Sequence, residues 1–154
     1  MRSVLFVCTA NICRSPTAAG VLRKFLAQGG FQEQVEVDSA GTHDYHVGKP
    51  PFPTAVEVGI AHGFDITQHV ARRIRGEDFD HFDMILAMDK THVNSLRTIA
   101  PTRCKQKIEL LLEYGDKYHG AEVPDPYGGK VEDFERAYAM IKDGCSGLAT
   151  LLMR

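Results

Sequence analysis

The chain has 154 residues, with 18 Lys+Arg against 20 Asp+Glu, a net charge of −2, and 44% hydrophobic residues. That profile is one ordinary soluble domain spanning residues 1–154, and the balanced charge argues against a duplex nucleic-acid binder. No apolar run approaches the roughly 18 residues of a membrane span, and the run after Met1 is too short for a signal peptide, so a cytoplasmic chain with four reduced cysteines is expected.

Val4-Leu5-Phe6-Val7 reads as a strand buried on both faces. A helix follows at once, with Ser15 as its cap and Pro16 at its first position. Ala18, Val21, Leu22, Phe25 and Leu26 share one face, and Gly29-Gly30 stops it. Val35-Glu36-Val37 is a second strand, Gly41 to Pro53 is irregular, and a helix runs from Thr54 to about His62. Asp83 to Met88 is a third strand, and Asp89 caps the next helix, which ends before Pro101. Ile108 to Leu112 is a fourth strand, although so short an apolar run also suits a helix. Glu113 to Lys130 is a long loop, of the length that usually carries function. Val131, Phe134, Tyr138, Ile141, Cys145, Leu148 and Leu152 then recur at helical spacing. The expected fold is α/β: a three-layer sandwich with a central four-stranded parallel sheet and helices on both faces.

In such sheets ligands bind beyond the carboxyl ends of the strands. The loop after the first strand is Cys8-Thr9-Ala10-Asn11-Ile12-Cys13-Arg14-Ser15-Pro16. A loop wrapping onto a helix N-terminus aims several amide N–H groups at one spot, which makes a phosphate-binding loop. The same field favours a thiolate at Cys8. Arg14 offers a planar fork for two phosphate oxygens, and Ser15 can donate to a thiolate or a leaving sulfur. A C-x5-R spacing by itself arises by chance, and most buried cysteines are inert. The strand before it and the Ser-Pro helix start after it favour chemistry. It is neither G-x-x-x-x-G-K-[ST] nor G-x-G-x-x-G. No C-x-x-C or H-E-x-x-H occurs, so no metal is expected.

The chain resembles the low-molecular-weight protein tyrosine phosphatases over nearly its whole length. The resemblance rests on Val7-Cys8 through Pro16, Asp38-Ser39-Ala40-Gly41-Thr42, Gly48-Lys49-Pro50-Pro51, His69-Val70-Ala71-Arg72, Met88-Asp89 and Asp125-Pro126-Tyr127-Gly128. It implies that Cys8 is the nucleophile, Arg14 the phosphate clamp and Asp125 the general acid. It also implies that Asn11, Ser15, Ser39 and His69 hold the loop in shape. Tyr45 and Tyr127 resemble the aromatic walls of the cleft, and Cys13 the neighbouring thiol that pairs reversibly with the nucleophile. No cofactor is implied.

The substrates implied are tyrosine-phosphorylated proteins, with inorganic phosphate and similar oxyanions as product or inhibitor. A monomer or a weakly self-associating chain is expected. Two positions depart from the family pattern: Ala10 stands where glycine is usual, and Gly128 where some members carry a second tyrosine.

A proton donor is needed because a phenol has a pKa near 10 and its anion leaves poorly at neutral pH. A buried Asp125 beside a phosphate dianion would hold its proton until the bond breaks. Asp-Pro equally favours a plain turn, and His69 alone would suit a core histidine. Asp89 reads first as a helix cap, Cys104 and Cys145 as incidental, and Arg72, Arg73 and Arg75 as a solvated face. Arsenate reductase, of the same fold, is the alternative reading. It needs further closely spaced cysteines, which Cys104 and Cys145 do not supply. A catalytically silent phosphoprotein-binding module is the third.

Overall fold

A computed structural model describes residues 2–154. In chain order the elements are β1 (Arg2–Cys8), α1 (Arg14–Gln28), β2 (Val35–Gly41), α2 (Pro53–Ala61), α3 (Gly76–His81), β3 (Met84–Ala87), α4 (Lys90–Ile99), β4 (Ile108–Leu110) and α5 (Val131–Leu152). The four strands form one sheet in the order β2-β1-β3-β4, with every neighbouring pair parallel.

Strand periodicity divides the core. Val4, Phe6 and Cys8 of β1 face α1, α2 and α5, while Leu5 and Val7 face α3 and α4. Being central, β1 buries both faces, which explains its uninterrupted apolar run. The chain leaves β1 for β2 on one side and returns to β3 on the other. The carboxyl ends of β1 and β3 therefore meet where the winding reverses, which is where open α/β sheets leave a crevice.

Three local details differ from expectation. Helix α1 begins at Arg14, and Ser15 does not cap it; the cap residue is Cys13, without a side-chain bond. Pro16 still suits the first turn, where its missing N–H would have no helical partner. The left-handed residue ending this helix is Gly30, with φ of 78°. The run Ile108 to Leu112 splits, because Leu111–Tyr114 forms a 3-10 turn beneath α5 after only three strand residues. Helix α3 has no counterpart in the sequence reading. It has six residues, started by the Asp78 carboxylate accepting the Arg75 N–H at 2.7 Å.

Small residues let α5 sit on that 3-10 turn. A Cβ at Gly144 would stand 2.8 Å from Leu111 Cγ, and one at Gly147 would overlap the Tyr114 carbonyl. Alanine favours a helix interior over glycine by about 1 kcal/mol, but overlap with backbone costs more. Gly147→Ala is therefore expected to destabilise the fold by about 2 kcal/mol, read as a lower urea midpoint. A raised midpoint would show that the turn can move aside.

Candidate active site

The nine residues from Cys8 to Pro16 join the end of β1 to the first turn of α1. Cys8, Asn11, Ile12, Cys13, Arg14 and Ser15 are all buried, and Thr9 and Ala10 are half-buried. Asn11 carries the loop's sharpest bend, with φ of 60°, the one positive φ of a non-glycine residue among those described. Asparagine accepts that left-handed geometry better than most residues. Ala10 beside it keeps a negative φ, which an alanine adopts without strain.

The bend at Asn11 is held from four directions. Its Nδ2 donates to Ser15 Oγ at 2.8 Å and to Ser39 Oγ at 2.9 Å. Its Oδ1 accepts the Arg72 N–H at 2.9 Å, and its carbonyl lies 2.9 Å from His69 Nε2. Since a carbonyl only accepts, Nε2 carries the proton. Burial keeps the His69 ring below its ordinary pKa despite the pull of that bond. Its neutral form then places the single proton on this nitrogen.

Ser15 faces the sulfur instead of capping the helix. Its Oγ is 3.0 Å from Cys8 Sγ and 3.5 Å from the Ala40 carbonyl. Asn11 already donates to that oxygen, so the hydroxyl proton is free to point at sulfur.

Arg14 is 3% exposed. One guanidinium nitrogen donates to Asp89 Oδ2 at 2.9 Å and to the Val123 carbonyl at 3.0 Å. The other stands 3.7 Å from Asp125 Oδ2. Asp89 is thus cap and site residue at once: its Oδ1 accepts the His92 N–H at 3.1 Å while Oδ2 orients Arg14. Burial opposes its charge, yet the Arg14 hydrogen bond and the contacts with His92 hold its carboxyl below the usual range.

The long loop is docked through Val123, 1% exposed, whose N–H donates to the Met88 carbonyl at 2.9 Å. Asp125 follows two residues later between Pro124 and Pro126, and its Oδ1 accepts the Tyr127 N–H at 3.1 Å. Its side chain is 52% exposed, so the burial expected from the sequence is absent. Both prolines and that turn bond keep it on the rim.

Cys8, Arg14, Asp125, Tyr45 and Tyr127 line one cleft of about 240 Å³, together with Thr9, Ala10, Ile12, Cys13 and His46. Tyr45 and Tyr127 are both exposed at its mouth. Tyr127 stands edge-on to Phe52 at 5.5 Å, and Phe52 stacks on Phe134 of α5. Tyr45 stacks on His43 at 4.9 Å. Ser39 and His69 lie behind the loop and do not line the cleft. Cys13 is a buried thiol. Burial, reinforced by Cys8 and Asp125 against Arg14, pushes its pKa up to about 12.

Sequence reasoning missed several participants. Arg72 is no solvated surface charge: it pairs with Asp38 at 3.2 Å and Asp78 at 2.9 Å while its N–H holds Asn11. Gly41 pairs with Cys8 across the sheet and lies against the loop. A Cβ there would stand 2.7 Å from the Thr9 carbonyl and 3.2 Å from the Ala10 carbonyl carbon. His92, on α4 at the other face of the sheet, carried no local signal of its contact with Thr9.

A family model described as low molecular weight phosphotyrosine protein phosphatase matches residues 3–154. The low molecular weight protein-tyrosine-phosphatase YfkJ of Bacillus subtilis is 38% identical over 154 residues, all of this chain and 97% of its own length. The low molecular weight phosphotyrosine protein phosphatase of Homo sapiens is 43% identical over 139 residues, 89% of this chain and 87% of its own. Among solved structures, a protein tyrosine phosphatase from Entamoeba histolytica superposes with a TM-score of 0.95 at 35% identity, covering 99% of this chain and 97% of its own. A parallel sheet whose first strand runs into the Cys8–Arg14 loop, in a chain matched over 89% or more of its length by each of these proteins, places it in the low molecular weight phosphotyrosine protein phosphatase family.

Proposed function

We propose that this phosphatase hydrolyses phosphotyrosine in proteins, and small aryl phosphates, through a phosphocysteine intermediate formed on Cys8, with one domain carrying the whole activity. The observation that carries this reading is the convergence of a buried cysteine, a buried guanidinium and a rim carboxylate on one cleft. In the first half-reaction the Cys8 thiolate attacks phosphorus in line. The bond from phosphorus to the phenolic oxygen breaks, and Asp125 gives that oxygen its proton. In the second, water attacks phosphorus and its proton passes to the Asp125 carboxylate. The phosphorus–sulfur bond breaks, releasing inorganic phosphate and the thiolate.

Arg14 and the amides of Thr9 through Ser15 hold the charge on the non-bridging oxygens. The Ser15 hydroxyl stabilises the sulfur anion each time it appears. Asn11, Ser39 and His69 keep the loop in the shape that aims those amides. Tyr45 and Tyr127 form a slot for a flat ring. A substrate ring lying there would cover the outer side of Asp125, supplying the burial that the rim position lacks.

The reading is tested by phosphate release from phenyl phosphate and from a phosphotyrosine peptide, each with a chelator or with vanadate. Release indifferent to chelator and blocked by vanadate is expected. Turnover that the chelator stops, or that vanadate leaves intact, would contradict it.

The closeness of Gly41 to the loop gives a second check. Gly41→Ala pushes on the Thr9 carbonyl, and displacements well under 1 Å matter for in-line attack. A loss of about tenfold or more in kcat/KM is expected, with wild-type kinetics the contrary result.

Cys13 is read as the resolving thiol for an oxidised Cys8. Peroxide would convert the Cys8 thiolate to a sulfenic acid; attack by the Cys13 sulfur would form the disulfide and release water. With its pKa near 12, little Cys13 is ionised at neutral pH. After brief peroxide exposure, the Cys8–Cys13 linkage should therefore form about tenfold faster per pH unit between pH 7 and 9, followed by mass spectrometry. A rate flat with pH, or over-oxidised Cys8 alone, would count against resolution by Cys13.

Arsenate reduction finds no support in the remaining thiols. Cys145 is fully buried and donates to the Ala18 carbonyl, and Cys104 packs beneath Asp80. Neither lines the cleft. Four free cysteines fit a reducing, cytoplasmic setting, and no helix among the described residues is long and apolar enough to cross a membrane. A monomer, or weak self-association through the aromatic rim, is the state we infer.

A further inference from the structure

Thr9 follows Cys8 directly, and its side chain leaves the loop toward α4. Its hydroxyl lies 2.8 Å from Nε2 of His92, the third residue of that helix, which is 2% exposed. The His92 Nδ1 makes no hydrogen bond but stands 3.2 Å from Asp89 Oδ1. Asp89 in turn holds Arg14. The start of α4 therefore grips both ends of the loop, Thr9 through His92 and Arg14 through Asp89.

The groups facing His92 are Arg14 from α1, Asp89 from its own helix cap, Asp125 from the long loop and His43 from the loop after β2. Burial first, then Arg14, push its pKa down to about 4, so the ring is neutral with one proton. With Nδ1 3.2 Å from Asp89 Oδ1, the charge of that carboxylate favours a proton on Nδ1 over a bare lone pair, although the two atoms form no hydrogen bond. Nε2 is then the acceptor and the Thr9 hydroxyl the donor.

We propose that His92 is a positioning residue: by accepting the Thr9 hydroxyl, it fixes the first residue of the loop relative to Arg14. The Thr9 carbonyl is held separately by the His43 N–H at 3.0 Å, so the His92 bond sets the remaining freedom of this residue. Amides aimed at charge that grows in the transition state matter more for kcat than for KM. This inference rests on the phosphatase reading of the loop.

The test measures kcat, KM and the unfolding midpoint for Thr9→Val, His92→Leu, His92→Gln and the Thr9→Val/His92→Leu double variant on phenyl phosphate. Thr9→Val and His92→Leu should each lower kcat about tenfold with KM within about twofold. The double variant should lose no more than the worse single one, because one hydrogen bond cannot be lost twice. Glutamine, whose amide oxygen reaches the Nε2 position, should restore kcat to within about threefold of wild type.

Should His92→Leu fail to fold, Thr9→Val and His92→Gln decide. Wild-type kcat in Thr9→Val, losses that multiply in the double variant, or glutamine rescuing no better than leucine would overturn the proposal. Cys8→Ser in the same assay separates the two failures. If it is inactive while Thr9→Val is normal, only the role of His92 falls; if it turns over, the reading of the loop falls.

Discussion

Cys8→Ser is expected to lower kcat/KM on aryl phosphates by roughly 10⁴-fold or more while leaving phosphate binding within a few-fold of wild type. The separation follows from where the two functions sit. Oxyanion binding is carried by loop amides and by Arg14, whose guanidinium is fixed by Asp89 and the Val123 carbonyl and does not depend on the sulfur. Attack on phosphorus needs an ionised nucleophile, and a serine hydroxyl in the same place stays protonated at neutral pH. The Ser15 hydroxyl, 3.0 Å from the sulfur, would still find an oxygen to bond, so the loop should keep its shape. Calorimetric titration with phosphate measures the first function and initial rates the second. Near-normal turnover, or loss of both together, would contradict the division.

Asp125→Ala carries the second large effect, and the effect depends on the substrate. With phenyl phosphate, whose leaving group has a pKa near 10, loss of the proton donor should cost about 10²–10⁴-fold in kcat. With an aryl phosphate whose phenol is already acidic, the loss should shrink to about tenfold, because that anion departs without help. The geometry explains why one carboxyl serves. Asp125 sits between two prolines, two residues beyond the docked Val123 and 3.7 Å from the Arg14 fork, so it is held at the cleft edge without being buried. Equal losses on both substrates would assign Asp125 to structure instead of proton transfer.

What the sequence made legible follows from chain proximity. The strand, the loop and the helix start are contiguous from Val4 to Pro16, so apolar patterning and one Ser-Pro pair were enough to draw attention to Cys8 and Arg14. The sheet's two-sided burial was equally plain in Val4-Leu5-Phe6-Val7. Ser15 misled because Ser-Pro before a helix reads as a cap; Cys8 and Asn11, brought close by the bend, compete for its hydroxyl and take it. Contacts that cross long stretches of chain left no trace. Asp89 reaching Arg14, Arg72 holding Asn11, and His92 meeting Thr9 span 75, 61 and 83 positions. Gly41 was visible only as a motif letter, since its need to lack a side chain comes from Thr9 and Ala10, 32 and 31 positions earlier, lying against it. Helix α3 was missed because its six residues bury only Asp78 and Phe79, too few apolar positions to show a helical repeat.

The most direct test of the covalent account is to quench the enzyme in acid within milliseconds of mixing with an aryl phosphate, digest it and locate phosphate by mass spectrometry. In the Asp125→Ala variant with an acidic leaving group, where attack proceeds but water activation is impaired, phosphate should accumulate on the peptide bearing Cys8, bound to its sulfur. Phosphate on any other residue, or turnover with no phosphorylated peptide at any quench time, would contradict it.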